Sequence, residues 1–407
     1  METVQPVSNS IQFIGCNDRR LERFENLFPL PNGMSYNSFF IDDTKTAILD
    51  TVDSSVTLQY LENVKYVLKG RDLDYLIINH MEPDHCANIV ELAKLYPNMK
   101  VVGNATTFEF FEHFYPNFDL KPNYYLVKNK DELSLGQHTL QFVFAPMVHW
   151  PEVMFTYEQS EKILFSADAF GTFGAMNGNL FTDEMDYGEY YGDACRRYYA
   201  NIVGKYGKQT TRAMKQVAKL DVAMIAPLHG PIWRSNLTYI LDRYQKWASY
   251  TPEKPGVVIP YGSAYGNTAS AVDYLAAELS KRGVEDIRIY DVAKTHPSYI
   301  IADIFKYSHV VFASITYNSA IFPAMQSFLD EMAQLMIKNR QYALIGNGSW
   351  SPMSSKLMGE FMANQSGWTN LADTITLRTT MAEDQKVTLN ALADTIAQSI
   401  KAETVTN

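Results

Sequence analysis

Four residues able to bind a metal fall within six positions of the stretch INHMEPDHCAN: His80, Glu82, Asp84 and His85. They close an apolar run, LDYLIINH, and the pattern recurs downstream. QFVFAPMV leads to His149, KILFSA to Asp168 and DVAMIAPL to His229. A single histidine after a strand is common. Four strand ends that each deliver such a residue point to ligands gathered on one rim of a packed sheet, where a rigid scaffold presents loops.

The set contains four imidazoles and three carboxylates. One metal ion rarely needs seven groups, whereas two ions sharing a carboxylate need about this many. With no thiolate among them, the donors suit iron, manganese or zinc. Three carboxylates and one hydroxide bridge neutralise two divalent cations, so the ions can change oxidation state without stranding charge in a low-dielectric pocket. Zinc has no such cycle. Without a cation the carboxylates would repel one another, which argues against a merely structural cluster.

A second stretch, GSAYGNTAS, combines the hydroxyls of Ser263, Tyr265 and Thr268 with Gly266 and Asn267 at the start of a helix. Such a turn can cradle a phosphate. It is neither a Walker loop nor GxGxxG, and on its own it reads equally as a capped turn.

The elements that must position these groups are legible from periodicity. IQFIG, NSFFI and TAILDT read as strands, and SVTLQYLENVKYVLKG as a helix through Leu58, Leu61, Val64 and Val67. LDYLIINH is apolar throughout, as for a strand covered on both faces. ANIVELAKLYPN is a helix ended near Pro97, KVVGN a strand, and TTFEFFEHFYPNF an aromatic helix whose His113 is a core or edge residue. SYTPEKPG reads as a linker near residue 250. From Val257 onward, β and α segments alternate through five units, which calls for a parallel sheet with helices on both faces. AETVTN reads as a frayed tail.

At 407 residues the chain is long enough for two cores. With 46% apolar and 20% charged residues it belongs to the globular class, and a net charge of −10 argues against nucleic acid or anionic membrane as the main partner. No run is long enough to span a bilayer and METVQPVSNS lacks signal-peptide character, so a cytoplasmic location is expected. Cys16, Cys86 and Cys195 are few and far apart, and read as free thiols.

On these residues the chain resembles a known family. Scaffold and motif are similar to the metallo-β-lactamase fold, whose usual zinc signature is HxHxDH, but here Glu82 takes the second histidine's place. HxExDH followed by His149, Asp168 and His229 resembles the flavodiiron proteins, or A-type flavoproteins, over nearly the whole chain. The resemblance implies an N-terminal metallo-β-lactamase-like αββα sandwich over residues 1–250. It implies a flavodoxin-like, doubly wound parallel five-stranded sheet over residues 251–407. His80, Glu82, His149 and Asp168 would bind one iron. Asp84, His85, Asp168 and His229 would bind the other, with Asp168 bridging; in some members the histidine matching His85 turns away.

By the same resemblance FMN lies at the carboxyl ends of the second sheet's strands. Ser263, Tyr265, Gly266, Asn267 and Thr268 would hold it, with Ile315, Thr316, Tyr317 and Asn318 of ITYNSAIFP and Asn347, Gly348, Ser349 and Trp350 of GNGSWSP. Relatives usually carry a GSYGW-like sequence where this chain has GNGSW. That change bears on hydrogen bonding around the flavin.

The implied activity passes electrons from FMN to the diiron site and reduces O₂ to water, NO to N₂O, or both. The implied electron donor is a separate rubredoxin or similar small carrier, since no CxxC pair supplies a fused one. The implied assembly is a head-to-tail homodimer or a dimer of such dimers. The rival is a metallo-β-lactamase-type zinc hydrolase with an attached flavodoxin; Glu82 speaks against it. Tyr198 and Tyr199 are candidates for lining the pocket or for the core. Arg212, Lys215 and Lys219 recur at helical spacing and either dock an acidic carrier or form a solvated face.

Overall fold

The computed structural model describes residues 2–406, the last three by backbone alone, and divides into two compact units between Gln245 and Lys246. In the first unit a seven-stranded and a five-stranded sheet enclose one core. The first sheet runs in the order Gln5–Pro6, Ile11–Phe13, Phe39–Ile41, Ala47–Leu49, Tyr75–Ile77, Lys100–Gly103, Tyr124–Leu126. The second runs Glu132–Ser134, Thr139–Phe144, Met154–Glu158, Ile163–Phe165, Met224–Ala226. Phe39, Leu49 and Ile77 from one sheet and Phe142, Met154 and Phe165 from the other share a cluster in which each is nearly or wholly buried. Burying side chains of this size contributes roughly 1.5–3 kcal/mol apiece before chain entropy opposes it.

Strand direction explains why the metal-capable residues converge. Thr139–Phe144 and Ile163–Phe165 are both antiparallel to Met154–Glu158, and Ile163–Phe165 is parallel to Met224–Ala226. Three strands therefore end at one edge of the second sheet, and each is followed by its ligand candidate. Tyr75–Ile77 delivers His80 from the first sheet.

The helix Thr57–Leu68 departs from its expected phase. Leu58 is 83% exposed, and the buried stripe is Tyr60, Asn63, Val64, Val67 and Leu68. Asn63 lies in that stripe because its amide serves the N-terminal segment: Nδ2 donates to Ile14 O at 3.0 Å and Oδ1 accepts Thr3 N–H at 3.0 Å. His113 is exposed at the end of the helix Ala105–Phe114. The three cysteines are buried as thiols, not joined in disulfides, and burial pushes Cys16 and Cys86 up to about 12.

The second unit is a parallel sheet in the order Ile287–Asp291, Lys254–Gly262, Tyr307–Tyr317, Arg340–Asn347, with Trp368–Asn370 and Ile375–Leu377 both pairing with the last. This is the doubly wound order, with long helices in the crossovers. The first of these strands begins at Lys254, inside the stretch read as a linker, because Lys254 already pairs with Tyr307. The last helix, Glu383–Thr406, does not fray at Ala402; Gln341 Nε2 donates to Glu403 Oε1 at 2.7 Å within it. Asn407 lies outside the described residues. No helix among the described residues is long and apolar enough to cross a membrane.

Candidate metal centre and flavin cradle

The seven candidate ligands meet in two adjoining groups. His80 Nε2, Glu82 Oε2, His149 Nε2 and Asp168 Oδ2 form the first. His80 lies 3.2 Å from Glu82 and 3.4 Å from Asp168; His149 lies 3.0 Å from Glu82 and 3.1 Å from Asp168. In the second, Asp84 Oδ2 lies 3.4 Å from His85 Nε2 and 3.3 Å from His229 Nε2, and Asp168 Oδ1 lies 3.1 Å and 3.6 Å from the same two nitrogens. Asp168 turns one carboxylate oxygen to each group. For metal bonds of about 2.1 Å, the edges of a four- to six-coordinate shell run from about 3.0 to about 3.4 Å. All the spacings but the 3.6 Å between Asp168 and His229 fall in that range.

The electrostatics fit as well. All seven residues are buried. Burial lowers the His80 and His149 imidazoles, but the carboxylates outweigh it: Asp168 and Glu152 hold His80 well above its ordinary value, and Asp168 and Glu82 raise His149 to about 9. Burial raises Glu82 and Asp168, but the facing imidazoles hold both well below the carboxylate range. Positive charge is demanded at the centre, and in a chain without metal, protons must supply it. His85 Nε2 and His229 Nε2 stand 3.1 Å apart, both directed at the same point, as two ligands of one cation would be. Both Asp84 oxygens and Asp168 Oδ1 are buried without a hydrogen-bond partner, as oxygens awaiting a metal should be. His85 turns into the cluster.

The supporting shell was not apparent in the sequence. Glu152 Oε1 accepts from His80 Nδ1 at 2.7 Å and from Met81 N–H at 2.8 Å. His229 Nδ1 donates to Ser35 O at 2.7 Å. Asp50 Oδ1 accepts the Asn79 and His80 N–H groups at 2.7 and 3.1 Å, and burial raises Asp50 to about 6. A hairpin, Arg23–Phe24 paired with Phe28–Pro29, carries Phe24 to 5.6 Å from the His229 ring. At its turn Glu25 directs its carboxyl to Glu82; burial, then Glu82, push it up to about 8. Asp50 does follow the apolar strand Ala47–Leu49, but the others follow no apolar run, so strand-end reasoning passes over them.

Tyr198 is buried with its ring 5.5 Å from His229 and 5.0 Å from Phe173, making it part of an aromatic wall beside the second ligand group. Tyr199 packs instead on Tyr244 at 4.9 Å. The pair flanks the start of a π-helical turn, Tyr199–Val203, which helical periodicity does not reveal. Arg212, Lys215 and Lys219 are exposed, and Lys215 borders an apolar groove of about 420 Å³ lined by Met214, Leu237 and Leu241.

In the second unit a cavity of about 70 Å³ is lined by Ser263, Tyr265, Asn267, Thr268, Ile315, Asn347, Gly348, Ser349 and Thr379. Gly266 stands at the N-cap of the helix Asn267–Lys281 at φ 90 with no side chain of its own, and Ser263 Oγ lies 3.4 Å from Ala269 N–H in the first turn, a terminus suited to an anion. Ser263 Oγ accepts Gly266 N–H at 3.1 Å, which shapes the turn. The residues present suit a flavin phosphate. Thr316 does not line the cavity; its Oγ1 accepts Met353 and Ser354 N–H at 2.9 and 3.0 Å. Tyr317, Asn318 and Trp350 also stay outside the lining, with Trp350 82% and Tyr265 93% exposed. Thr379 was not foreseen.

Comparison with known proteins decides the family. The profile of the ODP family beta lactamase matches residues 34–230 and that of flavodoxin matches residues 259–366. An anaerobic nitric oxide reductase flavorubredoxin of Klebsiella pneumoniae is 32% identical over 352 residues, covering 85% of this chain and 72% of that protein. The chain belongs to the flavodiiron family. Rubredoxin oxygen:oxidoreductase from Desulfovibrio gigas superposes with a TM-score of 0.91 at 28% identity, covering 98% of this chain and 99% of that one. The flavodiiron protein from Giardia intestinalis shares the fold, with a TM-score of 0.92 at 22% identity and coverage of 99% and 98%.

Proposed function

We propose that this flavodiiron protein is an oxidoreductase that reduces O₂ to water, NO to N₂O, or both. Asp168 carries the reading, because its two oxygens serve two ligand groups and so define a binuclear centre. His80, Glu82, His149 and Asp168 would hold one iron; Asp84, His85, Asp168 and His229 would hold the other. FMN would occupy the cradle of the second unit. Iron supplies one-electron chemistry, and FMN converts between the electron pairs of a donor and those single steps.

The chain's own residues do the rest. Glu152 and Ser35 hold His80 and His229 in one tautomer, with Nε2 presented inward. Phe24, Phe173 and Tyr198 form an apolar wall that keeps bulk water from the second ligand group. The relatives' names support both gases: one is a nitric oxide reductase and another a rubredoxin oxygen:oxidoreductase. The second name also supports a rubredoxin-like donor. Exposed Tyr265 and Trp350 beside the cradle support a partner surface there, in keeping with a homodimer or dimer of dimers. A zinc hydrolase is not favoured, since Glu82 stands among the ligands where that chemistry uses histidine.

The test is metal analysis and a visible spectrum, followed by anaerobic reduction through a rubredoxin system and measurement of O₂ and NO consumption on one preparation. Two irons and one flavin per chain with turnover of either gas are expected. Zinc alone, or flavin without iron, overturns the reading.

A further inference from the structure

Thr379 adopts φ 63, in the left-handed region that a β-branched residue rarely enters. Conformations of this kind persist only where the surroundings over-determine them. Here the cause is one buried side chain. Asn347 Oδ1 accepts Thr379 N–H at 2.8 Å, and Asn347 Nδ2 donates to Thr379 O at 3.0 Å. A single amide thus grips both backbone polar groups of one residue, and the pairing admits only one orientation of that amide. Asn347 is 2% exposed, which strengthens both bonds and makes their loss costly.

The same nitrogen reaches Thr268 Oγ1 at 3.3 Å, in the turn that opens the helix Asn267–Lys281. Thr379 Oγ1 donates to Ser349 Oγ at 2.9 Å, and Thr380 Oγ1 donates to Asn267 Oδ1 at 3.1 Å. The loop after Ile375–Leu377 is thereby tied to both the Ser263–Thr268 turn and the Asn347–Trp350 loop. The cavity these segments share is about 70 Å³ and rich in hydroxyl and amide groups. Its size and lining are of the right character for a phosphate and would not hold a whole flavin.

We propose that Asn347 is a positioning residue that fixes Thr379 as a wall of the FMN phosphate pocket, so that the loop after the last strand joins phosphate recognition. This rests on the FMN reading above.

The test uses the full-length chain stripped of flavin, with FMN and riboflavin titrated by flavin fluorescence quenching. Asn347→Ala and Thr379→Val should weaken FMN at least fivefold while riboflavin, which lacks the phosphate, stays within twofold of the parent. Thr379→Ser should restore FMN binding to within twofold, and Asn347→Asp, which keeps the acceptor and loses the donor, should resemble Asn347→Ala. Unchanged FMN affinity in Asn347→Ala and Thr379→Val overturns the inference. Equal losses for FMN and riboflavin do so too, because they mark a general disturbance of the fold. A parent chain that binds no FMN overturns the underlying reading instead.

Discussion

Glu152 stands behind His80: its Oε1 takes the Nδ1 proton at 2.7 Å, on the far side of the ring from Glu82 and Asp168. The contact turns Nε2 inward, where it would face a bound metal once the Nε2 proton is displaced. Glu152→Gln keeps the shape but loses the charge that makes the imidazole a stronger ligand. Removing such a partner typically costs metal affinity about 10- to 100-fold. Competition with a chelator should show that loss, with the flavin spectrum and far-ultraviolet circular dichroism unchanged. Parent-like iron retention in Glu152→Gln would show that Met81 N–H, not His80, is the contact that matters.

Asp168 offers an oxygen to each ligand group, so Asp168→Ala should lower iron at both positions. His149→Ala should lower it chiefly at the first. Gas consumption should vanish in both variants while the flavin spectrum persists. Iron analysis alongside the O₂ and NO assays checks this, and unchanged turnover in either variant defeats the site assignment.

The metal-free chain should have a narrow pH window of stability. His149 is raised to about 9 from 6.5, so its contribution is complete below pH 6.5 and is lost as pH climbs through 9. Glu82 and Asp168 are depressed from 4.5 and 3.8; their contribution is present above those values and is lost on acidification. The chelated protein should therefore melt highest between about pH 4.5 and 6.5. Iron takes the protons' place, so the loaded protein should hold its midpoint to pH 9. A metal-free midpoint that is flat from pH 6.5 to 9.5 would refute the imidazolium arrangement.

In the second unit Arg340 is 1% exposed and donates to Ile304 O, Phe305 O and Tyr250 O at 2.6, 2.8 and 2.6 Å. Arg340→Met strands those carbonyls. Each buried orphan costs about 1–3 kcal/mol, so a loss of at least about 3 kcal/mol is expected in denaturant unfolding of that unit. A change below about 1 kcal/mol would mean that water replaces the guanidinium freely.

Much of the fold was legible because periodicity reports burial. Tyr75–Ile77 and Ile163–Phe165 are apolar without alternation and mostly or wholly covered, Thr139–Phe144 alternates through Thr139 and Gln141, and each strand leads to a ligand. The Leu58 stripe misled because a polar residue, Asn63, occupies a buried position for the sake of Ile14 O and Thr3 N–H, and composition cannot register a partner so distant in sequence. The same limit hid Glu152, Ser35 and Glu25, which act through hydrogen bonds and charges across the fold. Thr379 was hidden for a further reason: its importance lies in a backbone angle that its own side chain disfavours.

The candidate ligands come from segments spread over residues 80 to 229 and from both sheets of the first unit. No early fragment of the chain can assemble the pair of ligand groups, because the last histidine arrives only after the final strand of the second sheet. The first ligand group is complete by Asp168, whereas the second awaits His229, so the two positions become available at different points along the chain.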